Sequence, residues 1–173
     1  MSSLPEPNEQ ERAAAKIPHD IFLSNLIGNH ILLFTAISTF GPSYIKYLVA
    51  VPLISFAALA YTYFRSGRIN REDSEFVWVH WQVTRRWSKL FFIMLVLLLT
   101  VSTLGWLANT YLGMMKEAVY AMIGGLGILP TLVSVLILIV IESDSLHHAR
   151  VGTLPKWALR RFLGIEPEST TQD

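Results

Sequence analysis

The sequence contains no cysteine, and this absence excludes several kinds of protein at once. Disulfides, thiolate nucleophiles, iron–sulfur clusters and cysteine-ligated zinc all require that residue. Charge is scarce as well, because Asp, Glu, Lys and Arg make up only 16% of the 173 residues, whereas soluble domains average about a quarter. With a formal net charge of +1, the chain also lacks the positive excess that is typical of nucleic-acid-binding proteins. No nucleic-acid partner is therefore expected.

The charged residues are missing mainly from two long stretches. Between residues 21 and 64 the only side chain sure to be charged is Lys46, and between 90 and 141 only Lys116 and Glu117 are charged. Hydrophobic residues, which make up 52% of the chain, fill these stretches instead. Apolar runs of this length are typical of bilayer spans. No basic segment precedes the first run, so we expect no cleavable signal peptide.

The apolar stretches divide into four spans. The sequence Gly41-Pro42-Ser43 interrupts the first stretch, because proline lacks an amide proton and disfavours helix in the residue before it. We therefore predict an all-α polytopic membrane protein whose four transmembrane helices form two hairpins. The predicted spans are about 21–40, 44–64, 90–111 and 118–141, with a tail (1–20), a loop (65–89) and a C-terminal segment (142–173) outside them.

The distribution of basic residues predicts on which side of the membrane each loop lies. Twelve of the 14 Lys and Arg residues lie in the tail, the loop and the C-terminal segment, and the other two are Lys46 and Lys116. Basic residues concentrate on the cytoplasmic side of membrane proteins. We therefore expect both termini in the cytoplasm and place the chain in a bacterial inner membrane.

Two helices are predicted outside the spans. Asn8 and Glu11 match a capping box in the tail, and Pro18 is expected to end that helix before the membrane, although a disordered tail fits equally well. In the loop, residues 74–88 carry apolar side chains three and four positions apart. This loop helix is expected either to lie in the headgroup layer or to run into the third span and project from the membrane.

Aromatic and basic side chains cluster in the loop helix and in a short amphipathic helix expected within the C-terminal segment. This combination suits the boundary between lipid and water, where anionic headgroups attract cations. The residues predicted to contact headgroups or an acidic partner are Trp78, Trp81, Arg85, Arg86, Trp87, Trp157, Arg160 and Arg161.

Three polar residues, Asn25, Asn29 and His30, lie within the first span. Polar groups at that depth are costly and usually face the interior of a bundle. Hydrogen bonds to neighbouring helices that fix their packing are the favoured interpretation, and a functional site is the alternative. No Asp, Glu or Arg occurs within a predicted span, so the usual groups of proton-coupled transport are missing there.

His30 is a candidate for binding a haem or a quinone. A bis-histidine haem needs a second histidine at the same depth, but His80, His147 and His148 lie at or beyond the inner boundary, roughly 14 Å away by helical rise. That separation argues against a haem within one chain. A haem shared between subunits and a quinone near His30 remain open alternatives, and no cofactor is predicted.

Weak candidates for a metal site follow the fourth span. Asp144 and His148 are four apart and share a helical face, with Glu142 and His147 beside them. No third ligand is fixed and no H-E-x-x-H pattern occurs, so ordinary surface hydrogen bonding is favoured and no metal is predicted. His80 is expected to be a packed structural histidine.

Small residues mark the fourth span. Gly124, Gly125 and Gly127, followed by Pro130, allow helices to approach closely or allow the span to bend. A packing seam within the bundle or against a partner is favoured over a channel gate or a broken substrate-binding helix. Few polar residues accompany these glycines, whereas a transport site usually brings more.

From these features we predict a small non-catalytic subunit, structural or accessory, of a membrane assembly formed with itself or within a larger complex. No catalytic residue is predicted, because no nucleophile elbow, phosphate-binding glycine loop or metalloprotease motif occurs. The first alternative is a homo-oligomeric channel or transport component with Asn25, Asn29 and His30 lining a pore. The second is a redox or metal-binding membrane subunit. The expected partners are the lipid bilayer and the other members of the assembly.

Overall fold

The computed structural model describes residues 6–165, and every secondary-structure element in that range is helical. Residues 1–5 of the predicted tail and 166–173 of the C-terminal segment lie outside the described residues. As predicted, four helices are long and apolar enough to cross a membrane. The helices are α1 (Glu9–Thr39), α2 (Lys46–Ser66), α3 (Glu75–Leu112), α4 (Lys116–Val151) and a short α5 (Lys156–Ala158) that continues as a π-helical turn, Leu159–Leu163. The first residues of α2 belong to a 3-10 helix, Pro42–Val49, and the α-helical part is Ala50–Ser66.

Three of these helices are much longer than the hydrocarbon core of a membrane is thick. The 31 residues of α1, the 38 of α3 and the 36 of α4 reach about 46, 57 and 54 Å at about 1.5 Å per residue, whereas the core measures about 30 Å. The predicted loop helix and the third span belong to one continuous helix, α3. The start of α1, the start of α3, the end of α4 and α5 pack together, and we call this region the basal end.

The first helix begins as predicted but does not end as predicted. The Asn8 side chain accepts a hydrogen bond from the Glu11 amide, and the Glu11 carboxylate accepts one from the Asn8 amide, each at 2.9 Å. The prediction that Pro18 ends this helix is wrong, because α1 continues through Pro18. Proline removes a backbone hydrogen bond, but Ala15, Pro18 and Phe22 form one buried face against α3 and α4. Burial of that face offsets the lost bond.

Two of the long helices contain π-helical stretches, in which backbone hydrogen bonds span five residues. The longer stretch, Ser24–Leu33, lies in α1, and the shorter, Ile123–Ile128, lies in α4. Residues five apart share a face in such a stretch, so Asn25 and His30 are both turned into the bundle. Short π-helical segments are frequent at functional sites, and the polar residues and glycines that stood out in the sequence lie in these two.

Two apolar clusters hold the helices together. One lies at the basal end and joins α1, α3 and α4 to α5. The other lies deeper and joins the four long helices through Phe22, Leu59, Phe91 and Leu138. The boundary between the two clusters is where buried polar side chains from three helices meet.

Candidate functional site

Four polar side chains meet at the basal end, and each is 0% exposed: His19 of α1, His80 and Thr84 of α3, and Glu142 of α4. The ring of His19 joins the others, because its Nδ1 is 2.5 Å from Glu142 Oε2 and its Nε2 is 2.9 Å from His80 Nδ1. The Thr84 hydroxyl donates to Glu142 Oε2 at 3.3 Å and lies 3.0 Å from His19 Nδ1. We call these four residues the basal cluster.

These polar groups are buried because each shares a helix face with buried apolar residues. On α1, His19 lies four residues after Ala15 and three before Phe22, and both neighbours are buried. On α4, Glu142 follows the buried Leu138 by four positions. Residues three and four apart share a helical face. Each polar group therefore lies on a face that burial of its neighbours turns inward.

The charge of the cluster follows from the rule that a buried carboxylate needs a partner. Glu142 is paired with His19, and an ionised Glu142 beside a protonated His19 makes the cluster neutral. In that state His19 donates from Nδ1 to Glu142 and from Nε2 to His80 Nδ1. His80 is then neutral and carries its proton on Nε2.

The contact between the two histidines exists only in some protonation states. Two nitrogens at 2.9 Å form a hydrogen bond when one carries a proton and the other a lone pair. If His19 and His80 are both imidazolium, two N–H groups face each other and the bond is lost. Protonation of both rings is therefore incompatible with the observed geometry.

The chain of contacts Glu142–His19–His80 is open at both ends. Glu142 Oε1 and His80 Nε2 are buried, and neither has a hydrogen-bond partner within residues 6–165. The His80 ring lies near the backbone of Thr153, but no contact of hydrogen-bond geometry joins them. Buried polar atoms without partners are rare. Here they are the two end atoms of the chain of contacts Glu142–His19–His80.

No group of three His, Asp or Glu side chains in the described part of the chain is arranged to hold a metal ion. In the basal cluster both nitrogens of His19 are already engaged. At the end of α4, His148 Nε2 is 3.8 Å from Asp144 Oδ2 and His148 Nδ1 contacts Thr153 Oγ1 at 2.7 Å, while His147 is exposed. These are ordinary contacts of a helix end.

Sequence reasoning did not find the basal cluster. It assigned His19 to the tail, Glu142 to a solvated helix end and His80 to packing. His80 is indeed buried, but its partners were not foreseen. The one signal for His19 was its spacing from the apolar residues around it, and that signal has meaning only if α1 runs through Pro18.

The residues predicted within the first span form a second polar network, deeper in the bundle. Asn25, Asn29 and His30 are 4–8% exposed and contact α2. Asn29 Nδ2 donates to the Val51 carbonyl at 2.8 Å and to Asn25 Oδ1 at 3.1 Å. The Ser55 hydroxyl donates to Asn25 Oδ1 at 2.9 Å, and His30 Nε2 contacts Ser55 Oγ. Nothing in the sequence singles out Ser55, which joins the network together.

This network has the form expected of polar contacts that fix helix packing. Its members bond α1 to α2 of the same chain. A pore shared between copies, as in the channel hypothesis, requires these side chains on an outer face instead.

A cavity of about 270 Å³ lies beside His30, among the four long helices. Besides His30, the polar side chains Ser102 and Thr131 contribute to its otherwise apolar wall. Leu99 and Leu132 also line it, and their side chains are 41% and 39% exposed on the outer surface of the bundle. The cavity therefore reaches the face that a bilayer would cover.

The glycines of the predicted seam fall into two groups. A Cβ atom at Gly127 would lie 2.9 Å from Leu98 Cδ1, so Gly127 allows α3 and α4 to approach closely. Gly124 and Gly125 face open space, with nothing within 4 Å of an added Cβ, so they form no seam within the chain. Gly105 of α3, which was not predicted, makes a second close approach to α4.

The residues predicted at the membrane interface pack largely against one another at the basal end. Trp81 departs most from its prediction, because it is 3% exposed inside the basal apolar cluster, where neighbouring helices cover the face that a lone helix would expose. Arg86 lies 5.5 Å from the rings of Trp87 and Trp157. Arg85 lies 4.3 Å from a tyrosine ring of α2, and Trp78 is half-buried. The exposed members of the set are Arg86, Arg160 and Arg161.

Comparisons of the chain with protein-family models, with curated proteins and with solved structures find no match. A proposed function therefore rests on the geometry of the basal cluster and of the deeper polar network.

Proposed function

We propose that the protein is a small, non-catalytic accessory subunit of a membrane assembly that responds to protonation at its basal end. The observation that supports this proposal is the His19–His80 contact, which forms only when the two rings share a single proton at that position. Intramembrane and boundary ionisable groups are costly, and function is the default hypothesis for them.

Acidification adds positive charge to a buried site. With Glu142 ionised and His19 protonated the cluster is neutral, so a further proton on His80 leaves a net charge of +1. An uncompensated buried charge costs several kcal/mol, and a proton on His80 also breaks its contact with His19. His148 of α4 lies close enough to His80 to add repulsion when it is protonated. Separation of α1 from α3 relieves this repulsion, because His19 is the member of the cluster that α1 supplies.

The N-terminal part of α1 is the element most easily separated. Before His19, α1 contributes one side chain, Ala15, to the buried members of the basal apolar cluster. The contribution of α3 is much larger: Phe76, Val77, Val79, Trp81 and Val83. Protonation is therefore expected to shift α1 against a stable frame of α3, α4 and α5.

The proposed setting is a bacterial inner membrane, with the four helices in two hairpins and both termini in the cytoplasm. The concentration of basic residues in the tail, the loop and the C-terminal segment supports this orientation. The basal end then faces the cytoplasm. A partner protein binds there, and its binding depends on the position of α1.

Paired spin labels test the proposal directly, because the chain has no native cysteine to remove. Labels at Ala13→Cys on α1 and Arg150→Cys on α4, both exposed positions, report the distance between the two helices in lipid nanodiscs. Burial lowers the pKa of His80 to about 3, and the charge of His19 adds to this shift. We expect one narrow distance distribution near pH 7.5 and a longer or broader one near pH 3, where His80 gains its proton.

Two histidine variants serve as the matched comparison. His80→Gln keeps a hydrogen-bonding side chain that cannot gain a proton in this range, and it should abolish the response. His147→Gln changes an exposed histidine outside the cluster, and it should leave the response intact. A distance that is the same at both pH values, or a response that survives His80→Gln, contradicts the proposal.

A further inference from the structure

The hydrogen bonds around Ser55 favour a proton on one particular nitrogen of His30. A backbone carbonyl only accepts, so Asn29 must turn its amide nitrogen toward Val51 O, at 2.8 Å. The same nitrogen is 3.1 Å from Asn25, which must therefore present its oxygen, and 3.3 Å from Ser55 Oγ. The Asn25 oxygen also receives the hydroxyl proton of Ser55 at 2.9 Å. The orientations of both amides thus follow from one carbonyl.

The arrangement favours one tautomer of His30. When Ser55 gives its one hydroxyl proton to Asn25, its oxygen accepts from His30 Nε2. The other tautomer turns the hydroxyl to His30 and leaves Asn25 Oδ1 with one donor, Asn29. A neutral imidazole has one N–H, which in the favoured tautomer leaves Nδ1 as a lone-pair acceptor. Nε2 is the ring atom that the described residues engage. A histidine that is 8% exposed therefore keeps one acceptor nitrogen free.

The cavity beside His30 has the size and the access that a lipid-soluble ring requires. Its volume is about 270 Å³, and an apolar cavity of about 150 Å³ is enough to bind benzene. Leu99 and Leu132 line the cavity and are also part of the outer surface. A molecule dissolved in the bilayer can therefore enter from the side.

We propose that this cavity binds the ring of a lipid-soluble quinol, whose hydroxyl donates a hydrogen bond to His30 Nδ1. The quinol and the corresponding quinone have nearly the same shape, but the quinone carries only carbonyl acceptors. A carbonyl oxygen facing the Nδ1 lone pair makes no hydrogen bond and leaves both groups unpaired. The site therefore prefers the reduced form, and it does so independently of the basal cluster.

Binding of matched probes tests this preference. Purified protein in quinone-free nanodiscs of saturated phosphatidylcholine is titrated, without oxygen, with a decyl-chain quinol, its quinone and the dimethyl ether of the quinol. We expect the quinol to bind about tenfold more tightly than either of the others, which corresponds to about 1.4 kcal/mol. The ¹⁵N resonance of His30 Nδ1 should shift with the quinol alone.

A cavity-filling variant with a matched control completes the test. Ser102→Leu occupies the cavity without touching the network around Ser55, whereas Thr103→Leu places the same side chain on a neighbouring exposed position of α3. We expect Ser102→Leu to lose quinol binding and Thr103→Leu to keep it. Equal affinity for the three probes, no binding by the unaltered protein, or unchanged binding by Ser102→Leu overturns the proposal.

Discussion

Among single residues, Glu142 has the largest expected effect on stability. Its carboxylate is fully buried, paired with His19 and hydrogen-bonded by Thr84. Loss of one partner from a buried ion pair leaves the other charge uncompensated, and its cost exceeds that of most core substitutions. The second carboxylate oxygen, which has no partner, adds to the sensitivity of this position.

Glu142→Ala should lower the free energy of unfolding by about 3–5 kcal/mol, because it leaves His19 without its anion. Glu142→Gln, which has the same shape without the charge, should cost less. Denaturant titration in detergent micelles measures both. Asp144→Ala is the matched control, since Asp144 is 64% exposed two positions along α4, and it should change stability by no more than about 0.5 kcal/mol. Equal effects of Glu142→Ala and Asp144→Ala would contradict the burial of the cluster.

Some of these residues could be identified from the sequence and others could not. Asn25, Asn29 and His30 stand out because each interrupts an apolar run, and burial of such groups is expected. Ser55 does not stand out, because serine is common in membrane helices and its role depends on the residues that face it. His19 lay in a segment that looked polar, so nothing local indicated its burial.

Among the helices, length was easier to predict than continuity. Apolar runs of about 20 residues define spans well, but they do not show that α1 continues through Pro18 or that α3 begins fifteen residues before its span. Both extensions depend on packing between helices at the basal end. The π-helical stretches could not be predicted from the sequence either. They arise from a shift in the register of the backbone hydrogen bonds, which amino-acid composition does not indicate.

The packing of α4 against α3 depends on one glycine of α4 and not on its neighbour, and substitutions at the two positions test this. Gly127→Leu should destabilise the bundle by about 1–3 kcal/mol, because its side chain enters space held by Leu98. Gly125→Leu, two residues away, meets nothing within 4 Å and should cause little loss. Thermal unfolding in the same micelles compares the two variants, and the reverse order would show that the helices do not pack as described.

At the scale of the whole molecule, the number of helices followed from the sequence, but their joining at the basal end did not. The contacts that form the basal cluster link residues 123 and 61 positions apart, His19 with Glu142 and His19 with His80. Pairing over such distances depends on the tertiary arrangement, which local patterns do not specify. The same holds for the cavity, which exists only where all four long helices surround it.

Self-association is the prediction that concerns the outer surface. Gly124 and Gly125 leave a flat strip on α4 with open space around it, and small residues on such a surface let a second helix approach closely. In native membranes, Gly125→Cys should therefore form an oxidative dimer. Leu104→Cys, at a position that is 56% exposed on α3, is the control and should remain monomeric. Equal cross-linking at both positions would argue for random collision rather than for an interface.

The dependence of the His19–His80 contact on protonation is the property from which the proposed function follows, and nuclear magnetic resonance can observe it directly. In protein with ¹⁵N-labelled histidine in nanodiscs, a hydrogen bond between His19 Nε2 and His80 Nδ1 produces a scalar coupling across the bond. We predict this coupling near pH 7.5 and its loss as the pH falls below about 3, the value to which burial lowers the pKa of His80. A coupling that persists below pH 3, or one that is absent near pH 7.5, would contradict a proton-dependent contact at the basal end.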